Sequence, residues 1–201
     1  MHTLKPLDIA VALKIGLNEK RRRSQSDRTD SLPSISSTNS VGDLAEALLK
    51  GKGDVSRSIN RLLALGLIGG RRPKASDVIT ANRKYYSLQR KSMSDFLCYG
   101  IRFVFGPEKK GVGRGLPTGW NCPWLDSPMN PPEIPMVWSH PGGDVLGELL
   151  EPLFSTCATA CERDEELHSI LSLIDVVRTG KPRELRYAQE MIKEIVEEMY
   201  S

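Results

Sequence analysis

The strongest constraint on how this chain can fold is the segment DVSRSINRLLALG, residues 54–66. Its apolar side chains recur at i, i+4, i+7 and i+8, which predicts a helix with one apolar stripe. The stripe consists of Val55, Ile59, Leu62 and Leu63. The opposite side is polar and consists of Ser56, Arg57, Asn60 and Arg61. A helix of this kind docks on its own domain with one side and leaves the other side for a ligand.

The neighbouring sequence predicts a helix-rich domain around this segment. Residues 4–17 have an apolar stripe at helical spacing, and Ser40 is a suitable N-cap for a second helix over residues 41–50. Glycines at 51 and 53 break that helix, Asp54 caps the next one over 54–65, and Gly66 ends it. Two short apolar runs within residues 67–83 then flank a basic, Gly- and Pro-containing stretch, which is typical of a β-hairpin.

The polar side of helix 54–65 carries the residue types that read DNA. An arginine such as Arg57 or Arg61 can bond bidentately to guanine, and Asn60 can do the same to adenine, in a major groove about 12 Å wide. Ser56 is short enough to contact a phosphate or a base edge near the helix N-terminus. The tip of the predicted hairpin, residues 69–75, adds further cations for the DNA backbone or the minor groove. These cations are Arg71, Arg72 and Lys74.

At these residues the chain resembles the MarR-like winged helix-turn-helix transcriptional regulators. The resemblance covers residues 4–83 and rests on SVGDLAEAL, then DVSRSINRLLALGLI, then a basic wing. It implies a sequence-specific regulator of double-stranded DNA, a repressor, that acts as a homodimer on a pseudo-palindrome. The chain departs from the family pattern in the insert 19–39, which is longer than the usual connection between the first two helices.

The insert itself is polar and rich in serine, so we predict a flexible loop over residues 19–39. It contains three consecutive arginines, Arg21, Arg22 and Arg23. They form either an arm that contacts DNA phosphates or a solvated linker.

Charge is unevenly distributed along the chain. The formal net charge is +3, but residues 1–105 hold 19 Lys and Arg against 9 Asp and Glu, whereas residues 106–201 hold 9 against 16. A basic half joined to an acidic half indicates a polyanionic partner for the basic half.

These patterns predict a mainly helical α+β fold with a small β-hairpin wing and three regions. Residues 1–105 form the winged helix-turn-helix domain, and the buried-looking run 103–105 ends it. Residues 106–142 are rich in Gly and Pro, contain all three Trp, and are expected to pack over a neighbouring surface. Residues 143–201 are acidic and helical, with Asp164 and Gly180 bounding one helix and Pro182 opening another. The second half of the chain either dimerises or senses a small-molecule or protein effector, or it is a structural cap that covers the winged domain.

Residues with catalytic or metal-binding chemistry are present but poorly arranged. Cys157, Cys161 and His168 have helical spacing, yet the Asp164 cap interrupts that helix, so buried cysteines acting as small apolar residues are favoured over a zinc site. The basic Gly-rich stretch 106–115 matches no phosphate-binding motif, and His140 lies in a Pro- and Gly-rich turn. We therefore expect no enzymatic activity, no metal and no cofactor.

The main alternative is a protein-interaction adaptor. In that interpretation the winged helix is a scaffold, and the Trp- and Pro-rich segment with the acidic C-terminal half binds a partner protein.

No stretch approaches the roughly 18 consecutive apolar residues of a membrane span. The N-terminal apolar run is interrupted by Asp8 and Lys14 and does not resemble a secretory signal. We expect a cytoplasmic, prokaryotic protein that is associated with the nucleoid when bound to DNA.

Overall fold

A computed structural model of the chain describes residues 3–26, 39–71, 85–126 and 129–199. The fold is mixed α+β, which confirms the predicted class at that level. Two compact units are present: residues 1–93 together with 196–201 form unit 1, and residues 94–195 form unit 2. The sequence instead predicted divisions at residues 105 and 142.

Unit 1 begins with three helices and an antiparallel strand pair. The elements are α1 (Pro6–Ser26), α2 (Val41–Ala47), α3 (Lys52–Ala64), β1 (Ile68–Arg71), β2 (Tyr85–Leu88) and the start of α4 (Arg90–Asp95). Helix α1 contacts α3, β2 and α2, and its residues from Asp8 to Glu19 are all buried. A helix that is buried on every side is the centre of a core rather than a surface element.

Helix α1 is longer than predicted. The flexible insert was expected to begin at residue 19, but the helix continues to Ser26 and includes Arg21, Arg22 and Arg23. The prediction of a loop at 19–26 is therefore wrong, and residues 27–38 lie outside the described part of the chain. The polar composition led to the wrong prediction of a loop, because a polar run can remain helical when its first residues are packed in a core.

The turn between α2 and α3 differs from the one predicted. Ser40 is the N-cap of α2 as expected, with its hydroxyl accepting a hydrogen bond from Asp43 N at 3.1 Å. The helix then ends at Ala47, before the glycines, and Gly51 is the N-cap of α3 rather than part of a break. Asp54, predicted as the cap, lies in the first turn of α3.

Helices α2 and α3 end in the same hydrogen-bonded motif. After α2, Lys50 N donates to Ala45 O and Leu49 N to Glu46 O; after α3, Leu67 N donates to Leu62 O and Gly66 N to Leu63 O. This pair of bonds defines a Schellman motif, which needs a left-handed residue. Gly66 fills that position after α3 with φ 67°, as predicted, whereas Leu49 fills it after α2 with φ 52°.

Strands β1 and β2 form the expected antiparallel pair, with Ile68 opposite Leu88 and Arg71 opposite Tyr85. The second strand begins at Tyr85, outside the 67–83 range predicted for the hairpin. The connection between the strands, residues 72–84, lies outside the described residues, so the predicted basic tip is not described.

Unit 2 is built on a small closed sheet. After α4 come a π-helical turn (Phe96–Gly100), α5 (Ile101–Val104), β3 (Lys109–Thr118), a 3₁₀ turn (Gly119–Asn121), β4 (Met136–Ser139), β5 (Val145–Leu150), α6 (Cys157–Cys161), α7 (Glu165–Thr179) and α8 (Pro182–Glu198). Strand β3 pairs antiparallel with both β4 and β5, and β4 pairs parallel with β5, so the sheet closes on itself. Strands β3 and β4 approach so closely that a Cβ on Gly115 would overlap the backbone carbonyl of Trp138.

Several predictions for the second half need correction. The run 103–105 is not buried, since Phe103 is 81% and Val104 54% exposed. Residues 106–142 include β3 and β4, and the region 143–201 opens with a strand, β5, before its helices. The helix bounds Asp164, Gly180 and Pro182 are confirmed: Asp164 accepts from Leu167 N at 3.2 Å, Gly180 caps the end of α7, and Pro182 begins α8.

Candidate nucleic-acid interface

The exposed side of α3 carries charged, polar, small and apolar residues. Val55, Ser58, Ile59 and Leu62 are buried against unit 1. On the opposite side Gly53, Arg57, Asn60 and Ala64 are exposed and Ser56 is half-buried. Leu63 was predicted to belong to the buried apolar stripe, but it is 37% exposed, so that part of the prediction is wrong. Arg57 and Asn60 are therefore the two long polar side chains at the centre of this face, and the small residues around them allow close approach of a ligand.

Arg57 is folded back over the first turn of α3. Its Nη2 donates to Asp54 Oδ1 at 2.5 Å, and its Nη1 would lie 3.5 Å from a Cβ placed on Gly53. Both partners remain exposed, with 67% of the Arg57 side chain and 52% of the Asp54 side chain accessible. An ion pair of this exposure contributes at most about 1 kcal/mol, so Arg57 can leave it for a better partner.

Arg61 does not lie on this face. The sequence predicted that Arg57 and Arg61 share an exposed side, but only 15% of the Arg61 side chain is exposed. Its Nε and Nη2 donate to the two carboxylate oxygens of Asp8 at 2.8 and 2.6 Å, and Asp8 is fully buried in α1. The hydrogen bonds that Arg61 donates to Asp8 raise the pKa of Arg61. The prediction that Arg61 reads DNA from an exposed position is therefore wrong, because a buried carboxylate 53 residues earlier holds its guanidinium.

Buried polar contacts also attach the strand pair to α1. Asn39 accepts a hydrogen bond from Asn18 Nδ2 at 3.0 Å and donates at 3.3 Å to the carbonyls of Ile15 and Tyr86. Glu19 accepts from Leu88 N at 3.1 Å, and burial raises the pKa of its carboxyl. Helix α3 and strand β2 are thus both fixed to the same buried helix.

The remaining expected DNA contacts are only partly described. Arg71 ends β1, while Arg72 and Lys74 lie outside the described residues. Arg21, Arg22 and Arg23 are half-buried on the last turns of α1, with Arg22 Nη2 at 4.0 Å from Glu19 Oε1. These three arginines therefore extend a helix and do not form a loop arm.

The most polar part of the unit 2 interior is a satisfied network rather than a reaction site. Asp175 accepts from Trp138 Nε1 at 2.7 Å, from Thr118 Oγ1 at 2.8 Å and from Arg178 Nη1 at 2.6 Å. Arg178 also donates to backbone carbonyls of Phe105 and Glu151. All of these side chains are buried, so the network stabilises the fold and offers no access to a substrate.

The cysteines and His168 are buried as well. All four cysteines are unpaired and buried, and burial raises the pKa of the Cys98, Cys122 and Cys157 thiols. His168 donates through Nε2 to Pro117 O at 2.7 Å. Within the described ranges no three His, Cys, Asp or Glu side chains are placed to hold a metal ion. Over the same ranges no helix has the length and apolar character needed to cross a membrane.

Two acidic residues that shape the α3 surface were missed at the sequence level. Asp54 was assigned to a cap, although its i, i+3 spacing to Arg57 indicates an ion pair. Asp8 is a charged residue within the apolar first half of α1, and this position signals a buried partner without identifying it.

Comparison of this chain with protein-family models, with curated proteins and with solved structures finds no match.

Proposed function

We propose that this protein is a sequence-specific double-stranded DNA-binding transcriptional regulator, a repressor, that reads the major groove with α3. The observation that carries the proposal is the exposed side of α3, where Arg57 and Asn60 stand among Gly53, Ser56 and Ala64. Arginine and asparagine are the side chains that bond bidentately to guanine and adenine, and small neighbours let a helix enter the groove.

The arrangement of unit 1 supports this proposal. Three helices followed by an antiparallel strand pair is the element order of a winged helix-turn-helix, which we propose as the fold family of unit 1. The fixed Asp8–Arg61 pair holds α3 on α1, and a rigid reading helix makes base contacts specific. The basic first half of the chain provides the charge that attracts phosphates, including the β1–β2 connection as a wing.

The proposal is tested by measuring DNA binding with fluorescence anisotropy. A duplex selected from a random library is compared with a scrambled duplex at about 50 and 200 mM salt, where several phosphate contacts change the affinity roughly a thousandfold. Tight, salt-steep binding with a preference for the selected duplex is expected. The absence of binding at low salt would refute DNA binding.

The single most informative variant is Arg57→Ala. We expect it to lose about 1–3 kcal/mol of binding free energy for the selected duplex and to relax the preference at one base position. Lys91→Ala is the matched control, since it removes an exposed cation of α4 outside α3 and should leave every base preference intact. Equal base preferences for Arg57→Ala and the wild type would show that α3 is not the reader.

A protein-interaction adaptor is the second candidate, favoured by one observation. Nine large apolar side chains are exposed in the described residues, and seven of them lie in unit 2, led by Phe103. A concentration of exposed apolar surface marks protein-binding sites. A stoichiometric protein partner that stays bound after nuclease treatment, and that is lost in Phe103→Ser, would favour the adaptor over the regulator.

A further inference from the structure

The contact between Asp54 and Arg57 places a carboxylate on the same surface that is proposed to meet DNA. Asp54 lies in the first turn of α3, with 52% of its side chain exposed, and pairs with Arg57 at 2.5 Å. Its second oxygen, Oδ2, would lie 3.4 Å from a Cβ on Gly51, the N-cap of α3. The acidic group therefore sits at the end of α3 that is expected to approach the phosphates.

The second arginine of α3 attracts Asp54 only through space, since the charge of Asp54 contributes to the raised pKa of Arg61 without a hydrogen bond between them. Arg61 gives its hydrogen bonds to Asp8 and to Ser58 Oγ, so it stays committed to unit 1. When Arg57 leaves for a base, Asp54 loses its hydrogen-bonded partner and remains as an exposed negative charge. The stability of the complex then depends on which DNA groups lie next to the Asp54 carboxylate.

We propose that Asp54 is the selectivity residue of α3: it holds Arg57 in the unbound protein and destabilises complexes with DNA that lacks the matching bases. This inference rests on the proposed DNA-binding function. On non-specific DNA Arg57 meets only phosphates, and Asp54 is repelled by the same phosphates. On the matching site Arg57 bonds to guanine, and Asp54 accepts a hydrogen bond from the N4 amino group of cytosine.

The relative strengths of these contacts support the direction of the effect. An exposed ion pair stabilises by a factor of about five or less, whereas one bidentate arginine–guanine contact discriminates by a factor of about 5 to 150. Exchanging Asp54 for a guanine is therefore favourable for Arg57, whereas exchanging it for a phosphate only replaces one anionic partner by another. Residues three apart on a helix are only about 4.5 Å apart along its axis, so the guanine and the cytosine that Arg57 and Asp54 contact are expected on neighbouring G·C pairs.

The test is the ratio of affinities for the selected duplex and for a random-sequence duplex, measured for three variants. Asp54→Asn should bind random DNA about tenfold more tightly, keep its affinity for the selected duplex within about threefold, and so reduce the ratio. Asp54→Glu keeps the charge and should keep the ratio. Glu46→Gln is the matched control, because it removes an exposed charge from α2 instead of α3.

The outcomes separate this inference from the proposed function. A wild-type protein that selects a duplex, together with an Asp54→Asn variant whose ratio is unchanged or is changed equally by Glu46→Gln, overturns the role of Asp54 alone. A wild-type protein without salt-steep DNA binding overturns both. A reduced ratio in Asp54→Asn alone, with selected duplexes that carry adjacent G·C pairs, supports the inference.

Discussion

Two arginines four residues apart on α3 have opposite surroundings, and this difference governs what each can do. Arg57 is exposed and pairs with an exposed carboxylate, whereas Arg61 is bonded twice by a carboxylate that is fully buried. Removing one partner of a buried ion pair leaves an uncompensated charge, while removing one partner of an exposed pair leaves a solvated one. Arg57 is therefore available for recognition of a ligand, and Arg61 has a structural role.

We predict that Arg61→Ala lowers the free energy of unfolding by about 3 kcal/mol, because Asp8 would remain buried without its cation. Arg57→Ala is the control and should cost less than about 1 kcal/mol. Urea denaturation followed by far-UV circular dichroism measures both values. Equal losses for the two variants would contradict the assignment of separate roles.

A second prediction at this scale concerns pH. Burial lowers the pKa of His168, so the folded protein disfavours the charged imidazole that the unfolded chain accepts below its ordinary pKa. Stability should therefore fall as the pH drops from 7 towards 5. His168→Gln retains an amide that can donate to Pro117 O and should show a shallower fall in melting temperature over that range. A slope identical to that of the wild type would assign the pH dependence to other groups.

The residue scale also marks the limit of reasoning from sequence. Ser40, Gly66 and Asp164 were placed correctly because a cap or terminator depends on a few neighbouring residues. The environment of Arg61 was not predicted correctly. A helical pattern identifies the apolar stripe and its two edges, but it does not show which edge faces another helix. Long-range partners such as Asp8 are decided by packing.

At the scale of elements, α2 and α3 offer a matched pair of helix ends. The same Schellman bonds close both helices, but the left-handed position is occupied by Leu49 in one and by Gly66 in the other. A side chain with a Cβ costs about 1 kcal/mol or more in that conformation, whereas glycine adopts it freely. The end of α2 is thus strained where the end of α3 is not.

We predict that Leu49→Gly raises the free energy of unfolding by up to about 1 kcal/mol, since the half-buried leucine side chain returns part of the gain. Gly66→Ala should lower it by about 1 kcal/mol, because a Cβ at Gly66 meets no atom within 4 Å and only the backbone strain remains. Thermal denaturation of the two variants checks both signs. A destabilised Leu49→Gly would mean that the leucine side chain outweighs the strain.

Elements were predictable where their pattern is local and regular. The apolar spacing in α3 and α7 predicted helices that the fold contains. Strand β3 was missed because four of its ten residues are glycine or proline. These residues interrupt the alternation of apolar and polar side chains that would indicate a strand. The end of α1 was missed because Asn18 and Glu19 look like surface residues and are in fact buried by Asn39 and Leu88.

At the scale of the whole molecule, most of the large apolar side chains that are exposed in the described residues lie in unit 2. Tyr99, Phe103 and Val104 lie on the helical segment 96–104 of unit 2 and are at least half exposed. We propose that the protein acts as a homodimer and that this segment belongs to the contact between copies, because apolar side chains of this size are seldom left in water without a partner.

This proposal predicts that the molar mass measured by light scattering rises with concentration towards twice 22.3 kDa. Phe103→Ser should shift the protein towards monomer across an approximately hundredfold range of concentration. Val112→Ser, which removes another exposed apolar side chain, this one from β3, is the control and should leave the mass unchanged. A monomeric wild type throughout the range would exclude the homodimer.

The composition of unit 1 has a consequence for how the protein is made. Val196 and Met199 are buried, and a side chain on Gly16 would lie 2.6 Å from Met199 Sδ, so the last turn of α8 completes the core around α1. The ribosome synthesises residues 94–195 in between, which takes about 5 to 20 seconds. During that interval nascent α1 lacks its final covering, and part of its apolar surface is available to chaperones and proteases until Val196 and Met199 have left the ribosome.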